Sequence, residues 1–311
     1  SRWSKGVFER LMYDIIIIGS GIAGLTSAIY ALNNKRNILI LESQSYGGQI
    51  TNSNLINNYP GFRNISGFDL MTNIYEQVKC LGGEIKYEEV IKLTKTKEVI
   101  TRKNTYKAKT IIIATGLVPR KLNLDREDDL IGKGISYCAT CDGAFFKDKI
   151  VMVAGGGATA IEDAIYLANI CKKVYLVYRR NELRKDVNLT DKVKSLDNIE
   201  IIYNSNVTKL YGENHLDSVD ITNKDTKKVK NIEVNGLFVA IGKTPGASIF
   251  KDLIDVSDTG YIITDNNCHT NIDGIYAAGD IRKKSLRQLV TAASDGAIAS
   301  IEAIKYINRN K

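Results

Sequence analysis

Two cysteines, Cys138 and Cys141, are separated by two residues and followed directly by Asp142. A Cys-x-x-Cys pair can close a disulfide within its own loop, and one of its thiolates can attack an external disulfide while the other resolves the mixed intermediate. Zinc is the alternative partner of such a pair, but a structural zinc site needs about four ligands. The other candidate ligands are isolated along the chain: Cys80, Cys171, Cys268, His215 and His269. The spacing therefore predicts thiol–disulfide exchange and no metal site.

Glycine-rich segments follow two apolar stretches that have the length of single strands. Residues 15–18 lead into Gly-x-Gly-x-x-Gly, residues 150–154 lead into the variant Gly-x-Gly-x-x-Ala, and a helical pattern follows each. In this context the glycines permit a tight turn, close approach of a pyrophosphate and close helix packing, and the helix N-terminus faces the phosphates. The sequence therefore predicts two dinucleotide-binding units, with contacts from Gly19, Ser20, Gly21, Ala23 and Gly24 in the first and from Gly155, Gly157, Thr159 and Ala160 in the second.

The residue at the end of the next strand distinguishes the two cofactors. The first unit has Glu42 at this point, and a carboxylate there accepts hydrogen bonds from an unphosphorylated adenosine ribose, as in FAD or NAD. The second unit has Arg179 and Arg180, with Arg184 one helical turn further on. Arginines form charge-assisted hydrogen bonds with the 2′-phosphate of NADPH. The sequence therefore predicts that the second unit binds NADPH.

The composition is that of an ordinary globular protein long enough for about two domains. The chain has 311 residues, of which 44% are hydrophobic and 25% charged. Its formal charge of +8 is spread without a basic block that contains interleaved aromatics, so nucleic-acid binding is not favoured. The longest apolar runs have the length of strands, which predicts no membrane span. Five cysteines with one obvious pair fit a reducing compartment, and we expect a cytoplasmic protein.

Strand-then-turn segments recur at Thr115-Gly116, Ile241-Gly242 and Gly279-Asp280. Prolines follow the first two of these segments, so hinges are expected at about residues 118–124 and 243–248. The predicted fold class is α/β, with two Rossmann-like dinucleotide-binding domains, the second inserted in the first. The expected ranges are a leader at 1–11 (an expression remnant or a frayed tail), a first domain at 12–120 and 247–311, and an inserted NADPH domain with the Cys-x-x-Cys pair at 121–246.

With these features together, the chain resembles the bacterial-type, low-molecular-weight thioredoxin reductases over essentially all of residues 13–308. The most specific marks are the segment Cys138-Ala139-Thr140-Cys141-Asp142-Gly143, the second fingerprint with its arginines, Gly279-Asp280 and Arg287-Gln288. The large disulfide reductases of the glutathione reductase type share the chemistry. They are much longer, however, place their cysteines in the first domain and use a histidine from an additional domain. The short class is therefore favoured.

The resemblance implies a homodimer with tightly bound FAD, NADPH as electron donor and thioredoxin as the disulfide substrate. It implies that Cys141 faces the flavin and that Cys138 exchanges with thioredoxin. Asp142 would donate and accept the protons that dithiol formation requires, although a helix cap or turn former is the other interpretation of this residue. Further cofactor contacts are implied for Gly19 to Gly24, Glu42, Gln49, Asn58, Val90, Thr115, Gly116, Gly279, Asp280, Arg287 and Gln288 on the FAD side, and for Gly155, Gly157, Thr159, Ala160, Arg179, Arg180, Arg184, Ile241 and Gly242 on the NADPH side.

Two other functions stay open at the level of sequence. Related proteins take electrons from ferredoxin instead of NADPH, typically with degraded fingerprints and arginines, whereas this chain keeps both. A flavin-bearing redox sensor without turnover would not need two intact nucleotide sites and an acid beside the cysteines. The family usually has a histidine where this chain has Tyr178, which removes one polar contact to the phosphate. The inserted domain is expected to rotate about its hinges, because one static arrangement cannot offer a flavin to both NADPH and the disulfide.

Overall fold

The computed structural model describes residues 12–53, 55–183 and 189–310. Contacts within the chain divide it into two compact units. Unit 1 consists of the segment that ends at Leu117 together with the segment that begins at Pro245, and unit 2 is Val118–Thr244. Each unit has its own parallel sheet and its own apolar clusters.

Strands and α-helices alternate in the first part of each unit, and a run of consecutive strands follows in each. The strands of the described residues are β1 Met12–Ile18, β2 Ile38–Glu42, β3 Ile85–Tyr87, β4 Val90–Leu93, β5 Glu98–Thr101, β6 Thr105–Ile113, β7 Leu117–Pro119, β8 Ile135–Ser136, β9 Ile150–Ala154, β10 Lys173–Val177, β11 Ile199–Ile202, β12 Ser205–Tyr211, β13 Ser218–Asn223, β14 Val229–Glu233, β15 Gly236–Val239, β16 Lys243–Pro245 and β17 Ile275–Ala277. The α-helices are α1 Ile22–Asn33, α2 Gly67–Cys80, α3 Glu127–Leu130, α4 Ala139–Asp142, α5 Ala158–Ala168, α6 Thr190–Ser195 and α7 Leu289–Arg309.

The sheet of unit 1 is parallel at its centre, where its most apolar strands lie. Its order is β3-β2-β1-β6-β5-β4, and β17 also pairs with β6. Ile15 and Ile17 belong to the cluster that contains α1 and α7, while Ile16 and Ile18 belong to the cluster on the opposite face, because successive side chains of a strand alternate. Both faces of the sheet are buried at β1, so residues 15–18 of this strand are all apolar and do not alternate with polar residues.

Helices α1 and α7 approach closely because the residues between them are small. A Cβ atom built on Gly296 would lie 2.2 Å from the carbonyl oxygen of Ala23, so this position has no room for a side chain. The Ser27 hydroxyl, which has one proton to donate, lies 2.8 Å from the Ala23 carbonyl oxygen and 3.0 Å from the Gly296 carbonyl oxygen. The two segments of unit 1, which are distant in sequence, therefore share one core.

Unit 2 contains a parallel sheet with the order β11-β10-β9-β15-β8 and a separate antiparallel sheet of β12, β13 and β14. Strand β9 pairs with β10 in a register that runs from Ile150↔Lys173 to Ala154↔Val177. One apolar cluster lies between the parallel sheet and α5, and a second joins that sheet to the antiparallel one. Strands β7 and β16, which carry the chain between the units, pair with each other.

The predicted fold class is confirmed. The chain is α/β, and each unit has the parallel strand–turn–helix core of a Rossmann-like dinucleotide-binding domain. The sequence of unit 2 interrupts that of unit 1. Within the described residues, no helix combines the length and the apolar character needed to cross a membrane.

Candidate active site

The first fingerprint forms a sharp turn between β1 and α1. Gly19 has a φ of 104°, and a Cβ atom built there would lie 2.5 Å from the Ala114 carbonyl oxygen. A Cβ atom on Gly24 would lie 1.9 Å from the Gly19 carbonyl oxygen. Gly21 differs, because apart from its chain neighbours no described atom lies within 4 Å of its Cβ position, and no described side chain caps the helix there. The turn therefore leaves open space and uncapped N–H groups suited to a pyrophosphate.

The structure places the Glu42 carboxylate, at the end of β2, directly against this turn. Its Oε2 accepts hydrogen bonds from the Ser20 N–H at 2.9 Å and from the Ser20 hydroxyl at 2.8 Å, and its Oε1 accepts from the Gln44 N–H at 3.0 Å. Each carboxylate oxygen has two lone pairs, so Glu42 can accept further hydrogen bonds from a ribose diol. Sequence reasoning selected Glu42 and Ser20 separately and did not predict the bonds between them.

Neighbouring parallel strands bring further selected residues to the same edge of the sheet. Thr115 and Gly116 follow β6, and Gly279 and Asp280 follow β17, which pairs with β6. The Thr115 hydroxyl donates to the Gly246 carbonyl oxygen at 3.0 Å. Because the carboxyl ends of parallel strands meet at one edge, these residues lie on the same side of unit 1 as the fingerprint turn.

The side-chain amides of Asn58 and Gln49 form hydrogen bonds within unit 1. Asn58 Nδ2 donates to Gln288 Oε1 at 3.2 Å, and Gln288 forms an N-terminal capping box of α7 with Thr291. Gln49 Nε2 donates to the Leu117 carbonyl oxygen. Asn58 and Gln288 come from motifs far apart in sequence, and the structure brings them into direct contact.

Arg287 lies next to Asp280 and above an aromatic ring. Its guanidinium carbon is 3.9 Å from the centre of the Tyr261 ring, and its Nε donates to the Asp280 carbonyl oxygen at 3.4 Å. Val90 differs from these polar residues, since it is 9% exposed and belongs to an apolar cluster that also contains Leu41. Val90 can therefore offer a ligand an apolar contact.

The second fingerprint repeats this geometry in unit 2. Gly155 has a φ of 146°, and a Cβ atom built there would lie 2.3 Å from the Ala240 carbonyl oxygen. Gly157 precedes α5, and apart from its chain neighbours no described atom lies within 4 Å of its Cβ position. Ala160 is buried beneath the turn, and Thr159 is exposed at the start of the helix. This turn has the same open space for a phosphate group as the first one.

Tyr178 is a core residue that covers the middle glycine of the second fingerprint. It is 7% exposed, and a Cβ atom built on Gly156 would lie 2.0 Å from its ring. The sequence interpretation treated this tyrosine only as the loss of a polar contact. The structure adds that the ring packs in the apolar cluster of α5 and β10, and that it requires a glycine at position 156.

The residues that follow β10 and β15 lie at the same edge of the parallel sheet of unit 2 as the second fingerprint. Arg179 and Arg180 follow β10 and are exposed, and Ile241 and Gly242 follow β15, with a φ of 103° at Gly242. Strands β10, β9 and β15 are adjacent and parallel, so these residues and the fingerprint lie at one edge. Arg184 lies outside the described residues.

Cys138 and Cys141 form a disulfide, as their spacing predicts. The pair follows β8, which belongs to the same parallel sheet as the second fingerprint. Cys138 is half-buried and Cys141 is exposed. Cys138 Sγ accepts a hydrogen bond from the Cys141 N–H at 3.2 Å. Across the described part of the chain, no group of three or more His, Cys, Asp or Glu side chains is arranged to hold a metal ion.

Asp142 is bound by a serine that the sequence interpretation did not select. Ser136 is 5% exposed, donates from its hydroxyl to Asp142 Oδ2 at 2.6 Å and accepts from the Cys138 N–H at 3.0 Å. The Asp142 N–H donates to the Cys138 carbonyl oxygen at 3.2 Å. The carboxylate is therefore fixed on the loop of the disulfide. A hydroxyl residue two positions before the first cysteine is the signal that could have found it.

Glu127 is a buried carboxylate that anchors the residue before the disulfide. It is 2% exposed and accepts from the Tyr137 hydroxyl at 2.6 Å and from the N–H groups of Leu122 at 2.9 Å and Asn123 at 2.7 Å. Burial and then the neighbouring Glu127 raise the pKa of Tyr137, so its hydroxyl remains a hydrogen-bond donor at neutral pH. Sequence reasoning missed Glu127 because the run 125–129 has the composition of a solvated surface.

The two edges fit dinucleotide cofactors. In each unit the glycine with an open Cβ position, Gly21 or Gly157, lies at a helix N-terminus, which suits a pyrophosphate. A carboxylate completes the edge of unit 1 and exposed arginines complete that of unit 2, which suits a ribose diol and a 2′-phosphate respectively. Together with the disulfide, these features define a disulfide oxidoreductase that uses dinucleotides.

Comparison with known proteins identifies the family. The family model for pyridine nucleotide-disulphide oxidoreductases matches residues 13–296, and the chain belongs to this family. The thioredoxin reductase of Peptoclostridium acidaminophilum is 42% identical over 309 residues, which cover 96% of this chain and 98% of that protein. The crystal structure of Lactococcus lactis thioredoxin reductase has a TM-score of 0.81 at 38% identity, with coverage of 96% and 99%. That of a ferredoxin-flavin thioredoxin reductase from Clostridium acetobutylicum has a TM-score of 0.54 at 31% identity, with coverage of 96% and 99%.

The resemblance to bacterial-type thioredoxin reductases, which was inferred from motifs, is confirmed by these relatives. The match spans nearly the full length of this chain and of the related proteins. The match therefore covers both units and not one domain alone.

Proposed function

We propose that this chain is an FAD-containing thioredoxin-disulfide reductase that takes electrons from NADPH. The main supporting observation is that the Cys138–Cys141 disulfide and a dinucleotide fingerprint follow strands of the same sheet in unit 2, in a chain whose unit 1 carries another fingerprint. FAD, when bound, supplies the conversion of hydride equivalents into dithiol equivalents. The relatives that carry the name thioredoxin reductase support thioredoxin as the substrate.

In this proposal unit 1 is the FAD domain. Glu42 accepts from the adenosine ribose, and the open N-terminus of α1 at Gly21 receives the pyrophosphate. Asp280 and Arg287, which are joined through a backbone contact, serve the flavin end. Unit 2 is the NADPH domain, in which Arg179, Arg180 and Arg184 receive the 2′-phosphate.

In this proposal the two cysteines react in a fixed order, with Cys138 first and Cys141 second. After reduction of the pair, the Cys138 thiolate attacks the disulfide of oxidised thioredoxin and forms a mixed disulfide, which releases one thioredoxin thiolate. The Cys141 thiolate then attacks Cys138 in the mixed disulfide, which restores the Cys138–Cys141 bond and releases the second thioredoxin thiolate. Thioredoxin gains two electrons and two protons. Asp142, which Ser136 holds at 2.6 Å, donates and accepts protons in this exchange.

An anaerobic titration tests the electron donor. The FAD-loaded protein is mixed in separate runs with NADPH, NADH and reduced ferredoxin while the flavin absorbance is followed. NADPH should reduce the flavin rapidly, and NADPH consumption should continue when oxidised thioredoxin is present. A folded protein that takes up no FAD would refute the cofactor assignment.

The same titration separates the other two candidate functions. Rapid reduction by ferredoxin with none by NADPH supports the ferredoxin-dependent alternative. Reduction by NADPH without steady consumption in the presence of thioredoxin supports a redox sensor. The exposed Arg179 and Arg180 favour NADPH, since a ferredoxin-dependent enzyme has no use for a phosphate site at this edge.

The proposal includes a homodimer in a reducing compartment, the cytoplasm. Three cysteines outside the redox pair are free thiols, of which Cys171 and Cys268 are buried and Cys80 is exposed. Such thiols are common where glutathione and thioredoxin keep cysteines reduced. Light scattering during size-exclusion chromatography measures the oligomeric state, and a mass of one chain would contradict the homodimer.

A further inference from the structure

A buried cluster of charges lies behind the turn that carries Asp280. Asp295 of α7 has a side chain that is 10% exposed and accepts three hydrogen bonds. The Gly279 N–H donates to its Oδ2 at 3.0 Å, Lys284 Nζ to the same oxygen at 2.8 Å, and Arg282 Nη1 to its Oδ1 at 2.5 Å. Desolvation of such ions costs several kcal/mol each, so partnered ions of both signs are needed to bury this carboxylate.

Two of these contacts act on Asp280 itself. Gly279, with a φ of 82°, forms the turn immediately before Asp280, and its N–H is held by Asp295. The Lys284 ammonium lies between two carboxylates, 2.8 Å from Asp295 Oδ2 and 3.8 Å from Asp280 Oδ1. Helix α7 thus fixes both the backbone in front of Asp280 and the cation beside its side chain.

Arg282 has a different set of partners. Its side chain is 8% exposed, its Nε donates to the Thr264 hydroxyl at 2.8 Å, and its Nη2 donates to the Asp265 carbonyl oxygen at 2.8 Å. These bonds attach the cluster to the loop at 264–265. Within the cluster Arg282 therefore stabilises the fold, whereas Lys284 connects the cluster to Asp280.

We propose that Lys284 and Asp295 are positioning residues of the FAD site. Asp295 fixes the turn of Gly279, and Lys284 adds a positive charge beside Asp280 that strengthens FAD binding and raises the reduction potential of the flavin. Reduced flavin carries more negative charge than oxidised flavin, so a nearby fixed cation favours the reduced form. The inference rests on the proposed function, in which Asp280 serves the flavin end of FAD.

The test compares Lys284→Met with Lys283→Met, an exposed neighbour, and with the conservative Lys284→Arg. FAD dissociation is measured by fluorescence, and the flavin midpoint potential by anaerobic equilibration with redox dyes. Lys284→Met should bind FAD about three- to tenfold more weakly. At a fixed potential its ratio of oxidised to reduced flavin should rise about tenfold, which is roughly 30 mV for a two-electron couple. Lys283→Met should leave the FAD affinity and the midpoint potential unchanged. Lys284→Arg should have an FAD affinity and a midpoint potential close to those of the wild type.

The isosteric Asp295→Asn provides a second variant. It leaves two buried cations with less compensation, so its melting temperature should fall together with its FAD affinity. If Lys284→Met is folded and keeps the affinity and midpoint potential of the wild type, the cluster serves stability alone and the inference is overturned. The proposed function survives that result, provided that the wild type binds FAD and turns over thioredoxin. A wild type that binds no FAD overturns both.

Discussion

The hydroxyl of Ser136, the last residue of β8, is 2.6 Å from Asp142 Oδ2. It is also 3.2 Å from the Cys138 carbonyl oxygen, but a hydroxyl has only one proton to donate. The shorter bond, to a carboxylate, is charge-assisted and therefore the stronger of the two. Ser136 accordingly holds Asp142 in place while its lone pair receives the Cys138 N–H at 3.0 Å.

Loss of this hydroxyl should impair thiol exchange and leave flavin reduction intact. Hydrogen bonds to charged groups contribute about 1.5–3 kcal/mol, so Ser136→Ala should reduce thioredoxin turnover by roughly 10- to 100-fold. The rate at which NADPH reduces the flavin should stay unchanged in stopped-flow experiments. Ser136→Thr retains the hydroxyl and should recover part of the activity. Equal losses in both half-reactions would contradict a role limited to the disulfide loop.

The two cysteines should differ in their effect on the flavin spectrum. Cys138→Ser and Cys141→Ser should each abolish thioredoxin reduction while NADPH still reduces the flavin. Cys138→Ser leaves Cys141 as a thiolate that can form a charge-transfer band with the flavin, and Cys141→Ser removes it. The double variant should be no less active than either single one, because both residues act in one relay. A band that appears only in Cys141→Ser would reverse the two roles.

Arg179 and Arg180 should set the preference for NADPH over NADH. A lost contact with the 2′-phosphate removes about 1.5–3 kcal/mol, so Arg179→Ala should raise the KM for NADPH roughly 10- to 100-fold and leave that for NADH nearly unchanged. The double variant with Arg180→Ala should nearly erase the preference. Added salt should weaken the wild-type preference, since both arginines are exposed. Lys228→Ala, at an exposed lysine elsewhere in unit 2, serves as the control.

Free thiols should react in an order set by burial. Burial raises the pKa of Cys268 to about 12 and that of Cys171 to about 11, and the thiolate is the reactive form. In the native oxidised protein, a chromogenic disulfide reagent should therefore label Cys80 quickly and the two buried thiols only after denaturation. Cys80→Ser should abolish the fast phase. Fast labelling of Cys268 in the native protein would be inconsistent with its burial.

Asp163 of α5 should make stability depend on pH. Burial and then the neighbouring Glu162 raise its pKa from 3.8 to about 6, while Lys243 lowers it. Because the folded state favours the protonated acid, the stabilisation is fully present below pH 4 and is lost as the pH rises through 6. Asp163→Asn should therefore increase the free energy of unfolding at pH 8 by up to about 3 kcal/mol and change it little at pH 4. The increase is measured as a higher melting temperature at pH 8.

A matched variant distinguishes this effect from a general change of charge. Asp225→Asn removes an exposed carboxyl from a turn of the same unit and should leave the melting temperature within about a degree at both pH values. If Asp163→Asn raises the melting temperature by the same amount at pH 4 and pH 8, the cause is packing and not titration of the carboxyl group.

The sequence predicted those parts of the site whose residue type is dictated by local geometry. Gly24 is required because a Cβ atom there would collide with the carbonyl oxygen of Gly19, five residues earlier. Gly19 is required because its φ of 104° lies in the region that favours glycine. Such a constraint acts within a single strand–turn–helix and is therefore visible as a motif. The common edge on which Glu42 and Asp280 lie was seen only in the structure, where the parallel strands that precede them end side by side.

Residues that depend on contacts distant in sequence were not predicted. Asp295 lies in an alanine-rich helix with no motif around it, and its partners Arg282 and Lys284 are on a loop whose path the sequence does not specify. Glu127 has the same character, since its burial depends on the fold of the segment around Tyr137. Buried polar pairs are formed by tertiary structure, so hydrophobic periodicity and spacing carry no information about them.

Because the sequence of unit 2 interrupts that of unit 1, the ribosome completes unit 2 before it completes unit 1. All strands of unit 2 have been synthesised by Thr244, whereas β17 and α7, which pack on β6 and α1, come later. During synthesis, helix α1 and strand β6 are therefore present before α7 and β17, on which they pack, have been made. Unit 2 is already complete at this stage and can fold. Unit 1 is expected to need chaperone protection in this interval, and a fragment limited to unit 2 is the part of the chain best suited to autonomous folding.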